Sequence, residues 1–326
     1  MNKPNAAKGK ATEAMRELRV ERAEKIADDI HLFELRDPGG ADLPEFTSGA
    51  HVTVRTPGGE ERKYSLSNDP AERDRYVIAV KKEPASRGGS RSMCEDLKAG
   101  DMIGVSEPKN DFELVPSPAG YTFVAGGIGI TPLLSMARHL LTQGGPSFKL
   151  YYLTRSPETT AFLDELKAPE FSGKVVIHHD GGDIANAYDL WPVFEKPRGH
   201  VYCCGPRGLM DSVRDMTGHW STSSVHFEAF ADGSTPRPED LPFTVKIQKT
   251  GERIDVPVGV SILDALRKAG HPVPSSCESG SCGSCRTRLV SGDVDHRDFV
   301  LTPGEHATDI MVCVSRGRGG EVVIDI

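Results

Sequence analysis

Between Leu18 and about Val115 the apolar residues alternate with polar ones in short runs. Examples are His31-Leu32-Phe33-Glu34-Leu35, His51-Val52-Thr53-Val54-Arg55 and Tyr76-Val77-Ile78-Ala79-Val80. A period of two puts alternate side chains on one face of a strand, and the Gly-, Pro- and Asp-rich segments between runs are turns. The pattern predicts a small antiparallel β-barrel. From Tyr121 it changes. Tyr121-Thr122-Phe123-Val124-Ala125 reads as a buried strand, a glycine-rich turn follows, and a helix begins near Pro132 and runs through Leu141. Further apolar strands at 148–153, 175–178 and 200–204, with helical segments between them, describe an alternating α/β domain with a parallel sheet. A Gly/Ser/Pro/Asp-rich stretch at 232–241 reads as an exposed linker. Beyond it, strands are expected at 243–248, 253–256, 286–290 and 322–326, around a helix at 261–269. Ser261 is its N-cap and Gly270 its C-cap signal. This order fits a short sheet grasping one helix.

A chain of 326 residues exceeds one hydrophobic core. The expected division is a flexible tail at 1–15, a barrel at 16–118, an α/β domain at 119–231, the linker at 232–241 and a C-terminal module at 242–326. With 37% hydrophobic and 26% charged residues the composition is that of a soluble globular protein. No apolar run approaches membrane-spanning length, and the polar N-terminus lacks the apolar core of a signal peptide. The seven cysteines do not resemble a disulfide framework and fit a reducing, cytoplasmic setting. A net charge of −8 speaks against a nucleic-acid partner.

Cys277, Cys282, Cys285 and Cys313 carry the sharpest chemical signal. Four residues separate the first two, two separate the next pair, and the fourth lies far downstream. This is the plant-type spacing of a [2Fe–2S] cluster, with four thiolates giving two ligands to each iron. Gly280 and Gly283, among small serines, let the loop wrap closely and turn backbone N–H groups toward sulfur. A structural zinc site is the alternative, but zinc favours paired short hooks and only one is present.

Two further constellations lie upstream. Arg62-Lys63-Tyr64-Ser65 offers what a flavin needs: a planar cation for its phosphate in Arg62, an aromatic wall in Tyr64 and a hydrogen-bonding hydroxyl in Ser65. Arg87-Gly88-Gly89-Ser90 lets backbone N–H groups approach a phosphate, with the Ser90 hydroxyl added. Gly126-Gly127-Ile128-Gly129-Ile130-Thr131-Pro132 sits at a strand-to-helix turn, where a pyrophosphate can lie against backbone. Cys203-Cys204-Gly205-Pro206 ends another strand, where ligands of parallel sheets bind. Cys204 is the thiol read beside a nicotinamide ring, whereas Cys203 and Cys94 are read as core thiols. His178 and His179, adjacent on a strand, point to opposite faces and do not make a shared metal site.

The order of these motifs, together with Val225-His226-Phe227-Glu228-Ala229-Phe230 and Met311-Val312-Cys313-Val314-Ser315, resembles the phthalate dioxygenase reductases, within the ferredoxin–NADP reductase superfamily. The likeness covers nearly the whole chain after the tail. It implies FMN rather than FAD, NADH as electron donor and a Rieske-type terminal oxygenase as acceptor. By resemblance, Arg62 and Gly88, Gly89 and Ser90 hold the FMN phosphate, Tyr64 and Ser65 line the flavin, and Lys81 contributes through its backbone. Phe230 is implied to close over the flavin where nicotinamide docks, so that Ser65, Cys204 and Phe230 flank the chemistry. Arg155 falls at the adenosine end, where an Arg-Ser pair also leaves NADPH open. The resulting expectation is a monomeric NADH-dependent oxidoreductase passing electrons from FMN to [2Fe–2S] to its partner, with no nucleic acid or membrane involved. The alternatives are a ferredoxin-type carrier without a working flavin domain, or the reductase of a different oxygenase or demethylase.

Overall fold

The structure, a computed structural model, describes residues 14–84, 88–230 and 236–326. Most of the stretch read as a tail, and residues 232–235 of the linker, lie outside the described residues. Met15 already pairs with Ser106, so the first strand starts inside the expected tail. The chain forms two compact units. One comprises the residues up to 116 with 130–147 and 152–187, and the other comprises 117–129, 148–151 and 188–326.

The first unit is built on strands β1 (Met15–Ala27), β2 (Ile30–Arg36), β3 (His51–Arg55), β4 (Glu61–Ser65), β5 (Tyr76–Lys81) and β6 (Met102–Ser106), with the short helix α1 (Gly89–Glu95) before β6. The strands form an antiparallel sheet in the order β4-β3-β6-β1-β2-β5. A bridge between Leu66 and Ile78 joins the end strands, which closes the sheet into a barrel. Alternate positions such as Leu18 and Val20, Phe33 and Leu35, Val52 and Val54, and Ile78 and Val80 fill the interior. Helix α2 (Ile130–Thr142) is pinned to the segment following β4. Ser135 Oγ donates to Asn68 O at 2.8 Å, and the Arg138 guanidinium donates to Ser67 O.

Strands β7 (Tyr121–Gly126), β8 (Phe148–Thr154), β9 (Val175–His179), β10 (His200–Cys204) and β11 (Val225–Glu228) form a sheet in the order β11-β10-β7-β8-β9. β10 runs parallel to both its neighbours. The helical segments expected between these strands are only partly there. Between β8 and β9 lie three 3₁₀ turns, at Pro157–Thr159, Glu165–Lys167 and Pro169–Phe171. Pro157 and Pro169 and the left-handed Phe162 (φ 58°) interrupt any longer helix. Between β9 and β10 the α-helix is one turn, α3 (Trp191–Phe194), whereas α4 (Arg207–Met216) after β10 is well formed. α2 begins at Ile130, before Pro132, because a proline is tolerated in a first helical turn.

The C-terminal module contains β12 (Phe243–Ile247), β13 (Arg253–Val256), α5 (Ile262–Lys268), β14 (Arg286–Ser291), β15 (Val294–Asp295), β16 (Asp309–Met311), β17 (Arg316–Gly317) and β18 (Glu321–Asp325). Its main sheet has the order β13-β12-β18-β14-β16, and β15 pairs with β17. Ile262, Leu263 and Leu266 of α5 join Val245, Ile247, Ile310, Val322 and Ile324 in the core. Ser261 Oγ accepts from Asp264 N at 3.0 Å, as its N-cap reading requires. Gly270, with φ 90°, follows the C-cap residue Ala269.

One expectation fails here. Asp240, read as part of an exposed linker, has a side chain only 2% exposed. Its carboxylate pairs with Arg297 and lies 3.7 Å from Arg316. The composition of 236–241 is that of a loop, yet two buried guanidiniums in the module require an anion, and Asp240 supplies it.

Candidate functional site

The cysteine loop between α5 and β14 has no regular structure of its own, so its shape comes from special backbone positions. Glu278 (φ 59°), Gly280 (φ 78°) and Gly283 (φ 83°) all turn left-handed. A Cβ at Gly280 would meet Val314 Cγ2 at 2.7 Å and Asp298 Cα at 3.2 Å, so only glycine fits. Glu278 accepts its strained conformation while its carboxylate is held by Arg267 Nη2 (2.7 Å) and Ser275 Oγ (3.1 Å).

The four sulfurs fall into two pairs. Cys285 and Cys313 are buried with their Sγ atoms 3.0 Å apart. Cys277 N donates to Cys282 Sγ, and Ser279 N to Cys277 Sγ, each at 3.4 Å. The hydrogen bond from the Cys282 thiol pulls Cys277 below the ordinary thiol value, against its burial. Cys313 likewise lowers Cys285. In each pair one thiol is shifted toward the thiolate, the form that ligates iron. The donor set is all sulfur, with backbone N–H groups on it, and a [2Fe–2S] cluster fits.

In the first unit, β4 and the turn before α1 meet. A Cβ on Gly89 would sit 3.0 Å from Arg62 Nε, so the guanidinium lies against bare backbone. Gly88 is left-handed at φ 113°. Ser90 Oγ accepts from Glu83 N at 3.1 Å, which ties the turn to the end of β5. Arg87 lies outside the described residues. The Tyr64 hydroxyl is buried with no partner among the described residues, and burial pushes the phenol up. An orphaned buried hydroxyl beside a cation and a glycine turn is a cradle that a flavin fits. Ser65 is buried next to it. The Lys81 side chain turns to Glu83 at 2.9 Å, and its backbone stands in register with Ile30 of β2. Arg155 is exposed just beyond β8, and its carbonyl accepts from Gly181 N.

The glycine turn after β7 packs backbone to backbone on the loop after β10. A Cβ on Gly126 would meet Pro206 Cδ at 2.5 Å, one on Gly129 would meet Cys204 O at 2.2 Å, and one on Gly205 would meet Gly126 Cα at 2.9 Å. The β7–β10 register, with Cys204 beside Ala125, brings these turns together at the carboxyl ends of the strands. Gly127 is left-handed at φ 54°, and Thr131 and Pro132 are buried in the first turn of α2. Cys204 and Cys203 are both fully buried, and burial pushes both thiols up. For Cys204 the Glu228 carboxylate adds to the effect. Glu228 pairs in register with Cys204 and is a site candidate that its string alone did not single out. Phe230, 46% exposed, ends the described part of this segment. His178 and His179 engage separate partners, Asn186 O and Thr160 Oγ1.

A clasp joins α4 to the cysteine module. Phe299 lies under the Arg207 guanidinium at 4.3 Å and that of Arg214 at 5.4 Å, and stacks on Phe227 with centroids 5.0 Å apart. Asp211 pairs with both arginines, at 2.9 and 3.0 Å. Arg207 also donates to Arg297 O, and Phe299 N donates to Gly280 O at 2.9 Å. The cluster loop and the helix that follows Pro206 thus share one aromatic anchor.

Comparison with known proteins agrees with this geometry. Residues 17–114 match the oxidoreductase FAD-binding domain family, and residues 245–316 match the 2Fe-2S iron-sulfur cluster binding domain family. The chain is 56% identical to the phthalate 4,5-dioxygenase oxygenase reductase subunit of Pseudomonas putida, over 95% of this chain and 96% of that one. It is 55% identical to phthalate dioxygenase reductase of Burkholderia cepacia, over 95% and 97%. A solved structure titled phthalate dioxygenase reductase, a modular structure for electron transfer from pyridine nucleotides to [2Fe-2S], superposes with a TM-score of 0.72 at 54% identity, covering 96% of this chain and 98% of that one. Barrel, parallel sheet and cysteine module occur here in the same order, and the chain belongs to the phthalate dioxygenase reductase family of flavin- and iron–sulfur-dependent oxidoreductases.

Proposed function

We propose that this oxidoreductase is the reductase component of a Rieske-type aromatic-ring dioxygenase acting on a phthalate-like substrate. The observation that carries this reading is identity above one half, along almost the whole chain, to two phthalate dioxygenase reductases. The electron order is NADH, flavin, [2Fe–2S], oxygenase partner. When bound, FMN takes the two electrons of a hydride and releases them singly, which suits a cluster that carries one.

The residues divide the work. Arg62, Gly88, Gly89 and Ser90 bind the FMN phosphate. Tyr64 walls the ring, and Ser65 presents its hydroxyl to the reacting edge. Gly126, Gly127, Gly129, Thr131 and Pro132 seat the NADH pyrophosphate, and Arg155 receives the adenosine end. Cys204, Gly205 and Pro206 border the nicotinamide, with Cys204 kept a neutral thiol by burial. Phe230 is the aromatic assigned to the nicotinamide docking position. Cys277 and Cys282 hold one iron, and Cys285 and Cys313 the other. The division into 16–118, 119–231 and 242–326 belongs to the same reading. The cradle at Tyr64 and Gly89 favours it over a bare electron carrier.

The test pairs the NADH-reduced protein with a purified phthalate-type Rieske oxygenase and, separately, with a Rieske O-demethylase. Faster reduction of the dioxygenase, with hydroxylated product formed in step with NADH, is expected. Preference for the demethylase would reassign the partner.

Arg62→Ala tests the flavin assignment. Losing a charge-assisted contact to phosphate costs about 1.5–3 kcal/mol, roughly 10- to 150-fold in affinity. The purified variant should lose its yellow colour on dilution and regain it with FMN. Recovery with FAD but not FMN would overturn the choice of flavin.

A further inference from the structure

The segment beside the clasp holds three side chains that the electron path does not use. His296, Asp298 and His306 place their ligand atoms within 4.8 Å of one another. Asp298 is 3% exposed. Its Oδ1 is committed, accepting from Val300 N at 3.0 Å and Leu301 N at 2.7 Å. Its Oδ2 is buried with no hydrogen-bond partner among the described residues, and His296 Nδ1 is in the same condition. Buried acceptors left unpaired in this way are rare and call for an explanation. The His296 and His306 rings lie nearly parallel, at 6°, with centroids 4.0 Å apart. A neutral imidazole carries a nitrogen lone pair that a cation can take.

We propose that His296, Asp298 and His306 bind one divalent cation of the Zn²⁺ class, at a site separate from the four cysteines. Two imidazoles and a carboxylate select zinc, nickel or copper over magnesium and calcium, which prefer all-oxygen shells. Bonds of about 2.0–2.2 Å bring such ligands closer together than they stand here. His306 can close the gap, because it is half-buried on the single 3₁₀ turn Glu305–Ala307, preceded by Gly304. Three protein ligands leave a fourth position for water. The site also touches the electron path. A Cβ at Gly280 of the cluster loop would stand 3.2 Å from Asp298 Cα, and Asp298 O accepts from Arg214 at 3.4 Å. A cation there fixes the backbone that supports both cluster loop and clasp. The proposal stands whichever oxygenase is the partner.

Calorimetric titration of the chelator-washed holoprotein with zinc chloride tests it, with cluster absorbance followed in parallel. One Zn²⁺ per chain should bind without bleaching the cluster. His306→Ala should weaken binding by at least about 10-fold, the scale of losses at metal sites. His296→Gln serves as a second ligand variant should the first lose its cluster. His219→Ala, outside the group, should bind as the parent does. Absence of binding at millimolar zinc, unchanged affinity in both ligand variants, or uptake that tracks cluster bleaching would each overturn the assignment.

Discussion

Replacing Cys282 by serine should abolish the [2Fe–2S] cluster and with it essentially all delivery of single electrons, while NADH still bleaches the flavin. Cys282 Sγ receives the Cys277 N–H and lies 2.7 Å from Ser284 Oγ, so it is held in place by its own loop. Its thiol lowers Cys277 through their hydrogen bond. A serine oxygen at this position is a poorer ligand for cluster iron than a thiolate, so one iron loses one of its sulfur ligands. The flavin cradle at Arg62, Tyr64 and Gly89 contains none of these atoms. Rapid mixing should therefore show flavin reduction at the parental rate, with cytochrome c reduction reduced to background and no cluster signal by electron paramagnetic resonance. A normal signal in Cys282→Ser would falsify the ligand set.

The second large effect is on stability. Asp240→Asn should destabilise the C-terminal module by about 3 kcal/mol, the low end for breaking a buried pair, because Arg316 loses its carboxylate while Arg297 keeps Asp295 at 2.6 Å. Arg297 and Arg316, with side chains only 5% and 3% exposed, would both lose their shared anion. In a module of this size about 1 kcal/mol moves the melting temperature by 4–8 °C, so a drop of more than ~10 °C is expected when melting is followed through cluster absorbance. The pH dependence has a definite sign. Burial is the largest single influence and raises the Asp240 carboxyl, but the hydrogen bonds from Arg297 and the Arg237 backbone, with the charges of Arg297 and Arg316, together hold the group below the ordinary carboxylate value of 3.8. A depressed folded value means that the stabilisation is present above the unfolded value and is lost as pH falls through the folded one. The parent should therefore lose stability below about pH 4 more steeply than the asparagine variant. Equal melting temperatures at neutral pH would show the pair to be dispensable.

Much of this was legible from residue order. The barrel strands, β10 and β13 follow from alternation bounded by turn residues, and the helix α5 from its Ser261 cap. The cysteine spacing carries its own geometry, and the structure brings all four sulfurs into two pairs. Arg62 and Gly89, distant in sequence, do meet. What local pattern could not supply is contact made by tertiary placement. Periodicity did not anticipate that the β8–β9 connection breaks into 3₁₀ turns, because two prolines and one left-handed residue decide it locally. Asp240 looked like linker because its burial depends on arginines far along the chain. Ser135 and Arg138, which hold the carbonyls of Asn68 and Ser67, read simply as helix residues. Glu228 and Phe299 gain their meaning only from neighbours across a sheet or on another element.

The Phe299 clasp has a consequence for how such proteins recombine. Its aromatic ring is encoded in the cysteine module, while Arg207, Asp211, Arg214 and Phe227 are encoded upstream of the segment where a chimaera would naturally be spliced. A ferredoxin module grafted from a relative without a matching aromatic would arrive with its cluster intact but face two guanidiniums held by a single carboxylate and a phenylalanine face with nothing upon it. The exchangeable cassette is therefore larger than the module: it begins with α4, and domain shuffling that respects this seam keeps the ring and its arginines on the same piece of inheritance.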